Sequence, residues 1–115
     1  MALIVKTSNP SGLLSDIKKA IDSKSIQTWS YDSDGDFTHS PEQWQHKAWM
    51  SPKVYNGELH FGFIGNKEVN TTKLLYAVFH GRFAEMLLNH FDDKLSNIQA
   101  TAMPTSIDKI TQLNK

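Results

Sequence analysis

Cysteine is absent from the 115 residues, which excludes disulfide scaffolds, zinc knuckles, iron–sulfur clusters and cysteine nucleophiles. Arginine occurs once, at Arg82, and neither sign of charge is in excess, Lys plus Arg and Asp plus Glu each numbering 12. Duplex DNA and anionic membranes are bound through clustered cations, so nucleic acid is not an expected partner and a membrane surface is not either. The longest mostly apolar run, Leu74 to Phe79, falls far short of the ~20 residues a membrane helix requires. Only Ala2-Leu3-Ile4-Val5 precede Lys6, too short an apolar stretch for a signal peptide; a soluble, cytoplasmic protein is the expectation. No glycine-rich loop opens a helix, no GxSxG elbow holds a serine, and no HExxH pair is present.

What is present is a globular composition, 39% hydrophobic with six glycines. It suits one domain over residues 1–103, followed by a segment 104–115 that is a tail or a short docked helix. In the second case Ile107, Ile110 and Leu113 would share its face.

The local signals order themselves along the chain. Residues 2–7 read as a strand. Asn9-Pro10 is a cap followed by the proline tolerated at a first helical position, and Leu13, Leu14, Ile17, Ala20 and Ile21 then fall on one helical face ending near Ser23. Residues 26–31 alternate as a strand. Ser40-Pro41-Glu42-Gln43 predicts one helical turn. Asn56-Gly57 predicts a tight hairpin joining 46–55 to 58–64 with Tyr55 opposite Glu58. Pro52 places its strand at an edge or a bulge. A long helix, capped by Asn70 or Thr71, runs to Phe91, and residues 97–103 form a last strand. The order β-α-β-β-β-α-β predicts an α+β domain whose antiparallel-rich sheet carries two long helices on one face, a ferredoxin-like arrangement.

If both helices cover one face, alternation along the hairpin leaves Lys47, Trp49, Lys53, Tyr55 and His60 on the other, with Trp29 and Tyr31 added if Ile26 points into the core. Exposed aromatics beside cations mark an association surface or a stacking platform for flat ligands. Self-association through a symmetric homodimer, or contact with another protein in the manner of a small inhibitor or immunity-type partner, is the expected role of such a non-enzymatic module.

The competing reading uses the loop Asp32-Ser33-Asp34-Gly35-Asp36. Carboxylates of Asp32, Asp34 and Asp36 at alternate positions can converge on Ca²⁺, or with Glu42 on Mg²⁺ or Mn²⁺, while His39 acts as general base for hydrolysis of a phosphodiester or similar bond. The loop departs from the calcium-binding EF-hand pattern, with Phe37 where glycine and Gln43 where glutamate is required, so no cofactor is the primary expectation. A solvated turn explains the same residues, because Asp bonds its own backbone. His80 and His90 both fall inside the apolar arc of the long helix and read as partly buried, hydrogen-bonded histidines.

Overall fold

A computed structural model describes residues 2–102, 108 and 113–114 of the chain. Strand β1 (Leu3–Lys6) leads into helix α1 (Pro10–Asp22), followed by β2 (Trp29–Tyr31), β3 (Phe37–His39), β4 (Ala48–Tyr55), β5 (Glu58–Gly65) and β6 (Thr71–Thr72). Helix α2 (Lys73–Phe91) comes next, then a 3₁₀ turn at Asp92–Lys94, β7 (Asn97–Ala100) and β8 (Leu113–Asn114). Among the described residues no helix is long and apolar enough to cross a membrane.

Six strands form one antiparallel sheet in the order β2-β3-β4-β5-β1-β7, and β6 pairs with β8 in parallel. The domain is therefore α+β, as the pattern predicts, but its strand order is not that of the expected ferredoxin-like arrangement. Two causes account for the difference. The chain from β2 to β5 is a continuous meander that includes β3, a three-residue strand hidden between the Asp-rich loop and Ser40-Pro41. The first strand then inserts between β5 and β7, Leu3 lying opposite both Phe61 and Ala100.

The helices form where their caps dictate. Asn9 Oδ1 accepts the Gly12 N–H at 3.1 Å, satisfying an amide that has no partner within the first turn. Gly12 has no side chain because Asn9 occupies the space: a Cβ there would sit 2.2 Å from Asn9 Nδ2. The cap of α2 is Thr72, not Asn70 or Thr71; its Oγ1 accepts the Leu75 N–H at 3.0 Å. The hairpin has the predicted register, Tyr55 opposite Glu58, with Gly57 at φ +75° where a side chain would be strained. Pro52 lies beyond the single β3 pairing at Met50, so its missing N–H falls on an open edge. Gln45 N–H reaches Pro41 O at 2.9 Å, which makes 41–45 the one helical turn expected there.

Both helices cover the same face of the sheet. Leu13 and Ile17 of α1, with Leu75, Phe79, Phe83 and Leu87 of α2, pack on Leu3, Val5, Phe37, Met50, Phe61 and Phe63 in one buried cluster. Phe83 is at its centre, its ring 4.5 Å from Phe61, 4.8 Å from Trp29 and 5.6 Å from Phe37.

Two parts of the C-terminal segment are described, Asp108 and residues 113–114. Asp108 accepts the Phe63 N–H at 2.7 Å, and Leu113 lies opposite Thr71. Leu113 lies in strand β8, within the segment 104–115 for which a tail or a short docked helix is the expectation; Ile107 and Ile110 lie outside the described residues.

Candidate functional site

The face opposite the helices is built by β1, β4 and β5. Alternation puts Trp49, Ser51, Lys53 and Tyr55 on it from β4, opposite Ile64, Gly62, His60 and Glu58 of β5. Trp49 and Ile64 are half-buried neighbours, while Tyr55 keeps 40% of its surface and Lys53 is exposed. The two rows end in a small polar cluster. His60 Nε2 lies 2.8 Å from Glu58 Oε1, and the His60 ring packs 4.3 Å from that of Tyr55. Ile4 of β1, opposite His60, extends the apolar area toward β7. It was not among the predicted residues, although the alternation of Leu3, Ile4 and Val5 already sets Ile4 apart from its buried neighbours.

Of the seven residues predicted for this surface, four are brought together: Trp49, Lys53, Tyr55 and His60. Lys47 precedes β4 in an exposed turn. Trp29 and Tyr31 are on the opposite, helix-covered face. Trp29 is 2% exposed, wedged against the edges of Phe79 and Phe83. Tyr31 donates its hydroxyl to Asp22 at 2.8 Å and lies 5.6 Å beneath the Lys18 ammonium. That hydrogen bond to a carboxylate, helped by desolvation, pushes the phenol above its ordinary pKa. The reason for the error is local: regular strand begins only at Trp29, while Ile26 donates its N–H to Ala20 O, so alternation cannot be counted from Ile26.

The Asp-rich loop closes the β2–β3 hairpin. Asp32 Oδ1 accepts the N–H groups of Asp34 at 3.0 Å and Asp36 at 3.1 Å, and Gly35 takes φ +82°. This is the self-bonded turn that Asp favours. One oxygen from each of Asp32, Asp34 and Asp36 lies within 4.8 Å of the others. Lys18 reaches the same loop, its Nζ 3.4 Å from where a Cβ on Gly35 would be, and so offsets the repulsion among the three carboxylates.

His39 and Glu42 do not join that loop. Phe37 sits beside the turn, whereas His39 pairs with Trp29 at the far end of the two strands, and Glu42 is exposed beyond it. At about 3.3 Å per residue the histidine is roughly 10 Å along the strand from Asp36. Its ring is buried, and Nδ1 lies 2.8 Å from Thr28 O. Burial, with the nearby Arg82 charge, holds its pKa below the ordinary value against the opposing pull of the Thr28 carbonyl and Glu85. His80 is also buried, its Nδ1 2.6 Å from Tyr76 O and its ring stacked on Phe63, but His90 is exposed at the end of α2, contrary to the helical-arc reading.

Comparison with protein-family models, with curated proteins and with solved structures finds no match to this chain. Function is therefore read from the surface itself.

Proposed function

We propose that the protein is a small, non-enzymatic binding module that acts in the cytoplasm through protein–protein contact, its open sheet face seated against a second copy of itself. The observation that supports this is the composition of that face: Ile4, Trp49, Ile64 and Tyr55 gathered on the side that, among the described residues, no helix covers. Lys53 and Glu58 lie on the same two strands, so a two-fold apposition can set each against its opposite on the other copy. A stable interface needs about 800 Å² per partner. That is about an eighth of the chain's 6527 Å² accessible surface, within what one sheet face provides.

Tryptophan in a desolvated centre dominates such interfaces, and its truncation typically costs at least about 2 kcal/mol of binding, or roughly 30-fold in Kd. Analytical ultracentrifugation should show wild-type dimers and a Trp49→Ala chain shifted to monomer, with its circular dichroism and melting temperature close to wild type. An assembly state unchanged by the substitution sinks the assignment to this face. Wild-type protein that is monomeric throughout the accessible concentration range sinks self-association and redirects the module to a different protein, as an inhibitor or immunity-type partner would require.

The second reading, a divalent-metal-dependent hydrolase or nuclease, is favoured by the convergence of three carboxylate oxygens within 4.8 Å. The distance of His39 and Glu42 from the loop weighs against the hydrolytic part. The two accounts of the loop separate by mutation. As a turn, Asp32→Ala costs about 1 kcal/mol, since two N–H groups lose their acceptor, and Asp34→Ala is nearly silent. As a metal site, Ca²⁺, Mg²⁺ or Mn²⁺ raises the melting temperature of metal-stripped protein by mass action, and Asp34→Ala abolishes the rise.

A further inference from the structure

A groove of about 1170 Å³ opens on the helical side, where the loop before β2, the turn at 41–44 and the polar strip of α2 converge. Its floor is Trp29 and His39, one wall is Trp44, and the other is Arg82, Glu85 and Met86. Nothing in the open-face reading uses it.

The floor presents a fixed acceptor. A carbonyl only accepts, so the 2.8 Å contact with Thr28 O places a hydrogen on His39 Nδ1. In the neutral ring, which burial favours, Nε2 then carries a lone pair. His39 is 6% exposed, and its Nε2 has no hydrogen-bond partner among the described residues. That nitrogen is not sealed from solvent, so a donor held in the groove can reach it. Tilted stacking on Trp29 at 4.7 Å holds the ring in place.

The walls supply an anion anchor and a flat apolar surface. Arg82 is the only arginine of the chain, and its guanidinium is held loosely, 3.4 Å from Glu85 Oε1, with both side chains more than half exposed. A guanidinium presents a planar fork matched to carboxylate or phosphate. Trp44 is half-buried, its backbone fixed by hydrogen bonds to Pro41 O and from Lys47 N. Aromatic rings stack on such a surface without regard to their substituents.

We infer that this groove binds a planar heteroaromatic anion of nucleotide size: the ring lies on Trp44, an amino group carried by the ring donates to His39 Nε2, and the anionic group meets Arg82. The volume of about 1170 Å³ is somewhat above the ~300–1000 Å³ of typical small-molecule sites, which suits a nucleoside monophosphate better than a single ring.

The probes are AMP, adenosine and ribose 5-phosphate, titrated into the full chain and followed by the backbone and indole N–H resonances. AMP should shift the Trp44 indole and the resonances around Arg82, and bind about tenfold more tightly than either fragment, the gain expected of one charge-assisted pair. Arg82→Gln, at an exposed position, should bring AMP down to the affinity of adenosine while leaving adenosine unchanged. Trp44→Ala should weaken AMP and adenosine alike and leave ribose 5-phosphate unaffected. His39→Phe removes the acceptor, and a thermal melt run beside it shows whether that chain folds; the Arg82 and Trp44 variants decide the matter without it. Absence of shifts at millimolar AMP, shifts located on Trp49 and Tyr55 instead, or equal AMP affinity in wild type and Arg82→Gln would each overturn the assignment.

Discussion

Phe83→Ala is expected to destabilise the domain by about 3–5 kcal/mol. The ring is fully buried and touches three other aromatic rings from three different strands, so its removal leaves a cavity lined by groups that cannot close on it together. Since domains of this size are stable by about 5–15 kcal/mol, the variant should be largely unfolded or melt well below wild type. Urea unfolding measures the loss. Leu88→Ala on the exposed side of the same helix is the control, expected to change stability by less than about 0.5 kcal/mol. Equal losses for the two would contradict the packing of α2 on the sheet.

Acid should destabilise the protein beginning near neutrality rather than only in the carboxylate range. His39 and His80 are both buried, and desolvation holds both below the ordinary value of 6.5. For His39 the neighbouring Arg82 charge acts in the same direction, and Thr28 O and Glu85 oppose it. For His80 the terminal amino group acts in that direction, opposed by Tyr76 O and Asp108. Between the folded and unfolded pKa values the unfolded chain carries protons that the folded one does not, so stability rises with pH there. The stabilisation is complete above the unfolded value and is lost as pH falls through the folded one. Each histidine contributes a slope of up to about 1.4 kcal/mol per pH unit in that interval. Asp16, lowered by its hydrogen bond to Lys94, contributes only below its ordinary 3.8. Urea midpoints should therefore be flat from about pH 7.5 to 7 and fall below about 6.5, with a shallower fall in His80→Gln. A flat profile down to pH 5 would show that neither histidine is desolvated as described.

The pattern in the sequence was most legible where short-range chemistry alone decides the structure. Asn9-Pro10 specifies a helix start and Asn56-Gly57 a hairpin register, and each acts within a few residues of itself. Trp49, Lys53, Tyr55 and His60 share one sheet face as expected because their placement hangs on that register. Trp29 and Tyr31 were misplaced because their strand has no comparable anchor, the backbone between Ile26 and Trp29 being irregular. Residues 37–39 are too few to show a period, and their pairing with β2 comes from a turn whose acidic residues also resemble a metal loop. Strand order was least legible of all, because it is set by non-local pairings such as Leu3 with Phe61. The groove is illegible in the sequence for the same reason: His39, Trp44 and Arg82 meet only after the sheet and α2 have packed.

The position of β1 between β5 and β7 governs the order in which the chain can become a domain. Leu3 to Lys6 are synthesised before their partners, which on one side are residues 58–61 and on the other 97–100. During translation the opening strand must wait with both of its edges bare while the β2–β5 meander assembles from neighbouring pieces. Closure of the sheet is then a late, high-contact-order event, and such topologies fold slowly. Until Ala100 has emerged, the nascent chain displays an apolar strand that another molecule can pair with, which makes this interval the one in which chaperone contact or misassembly is decided.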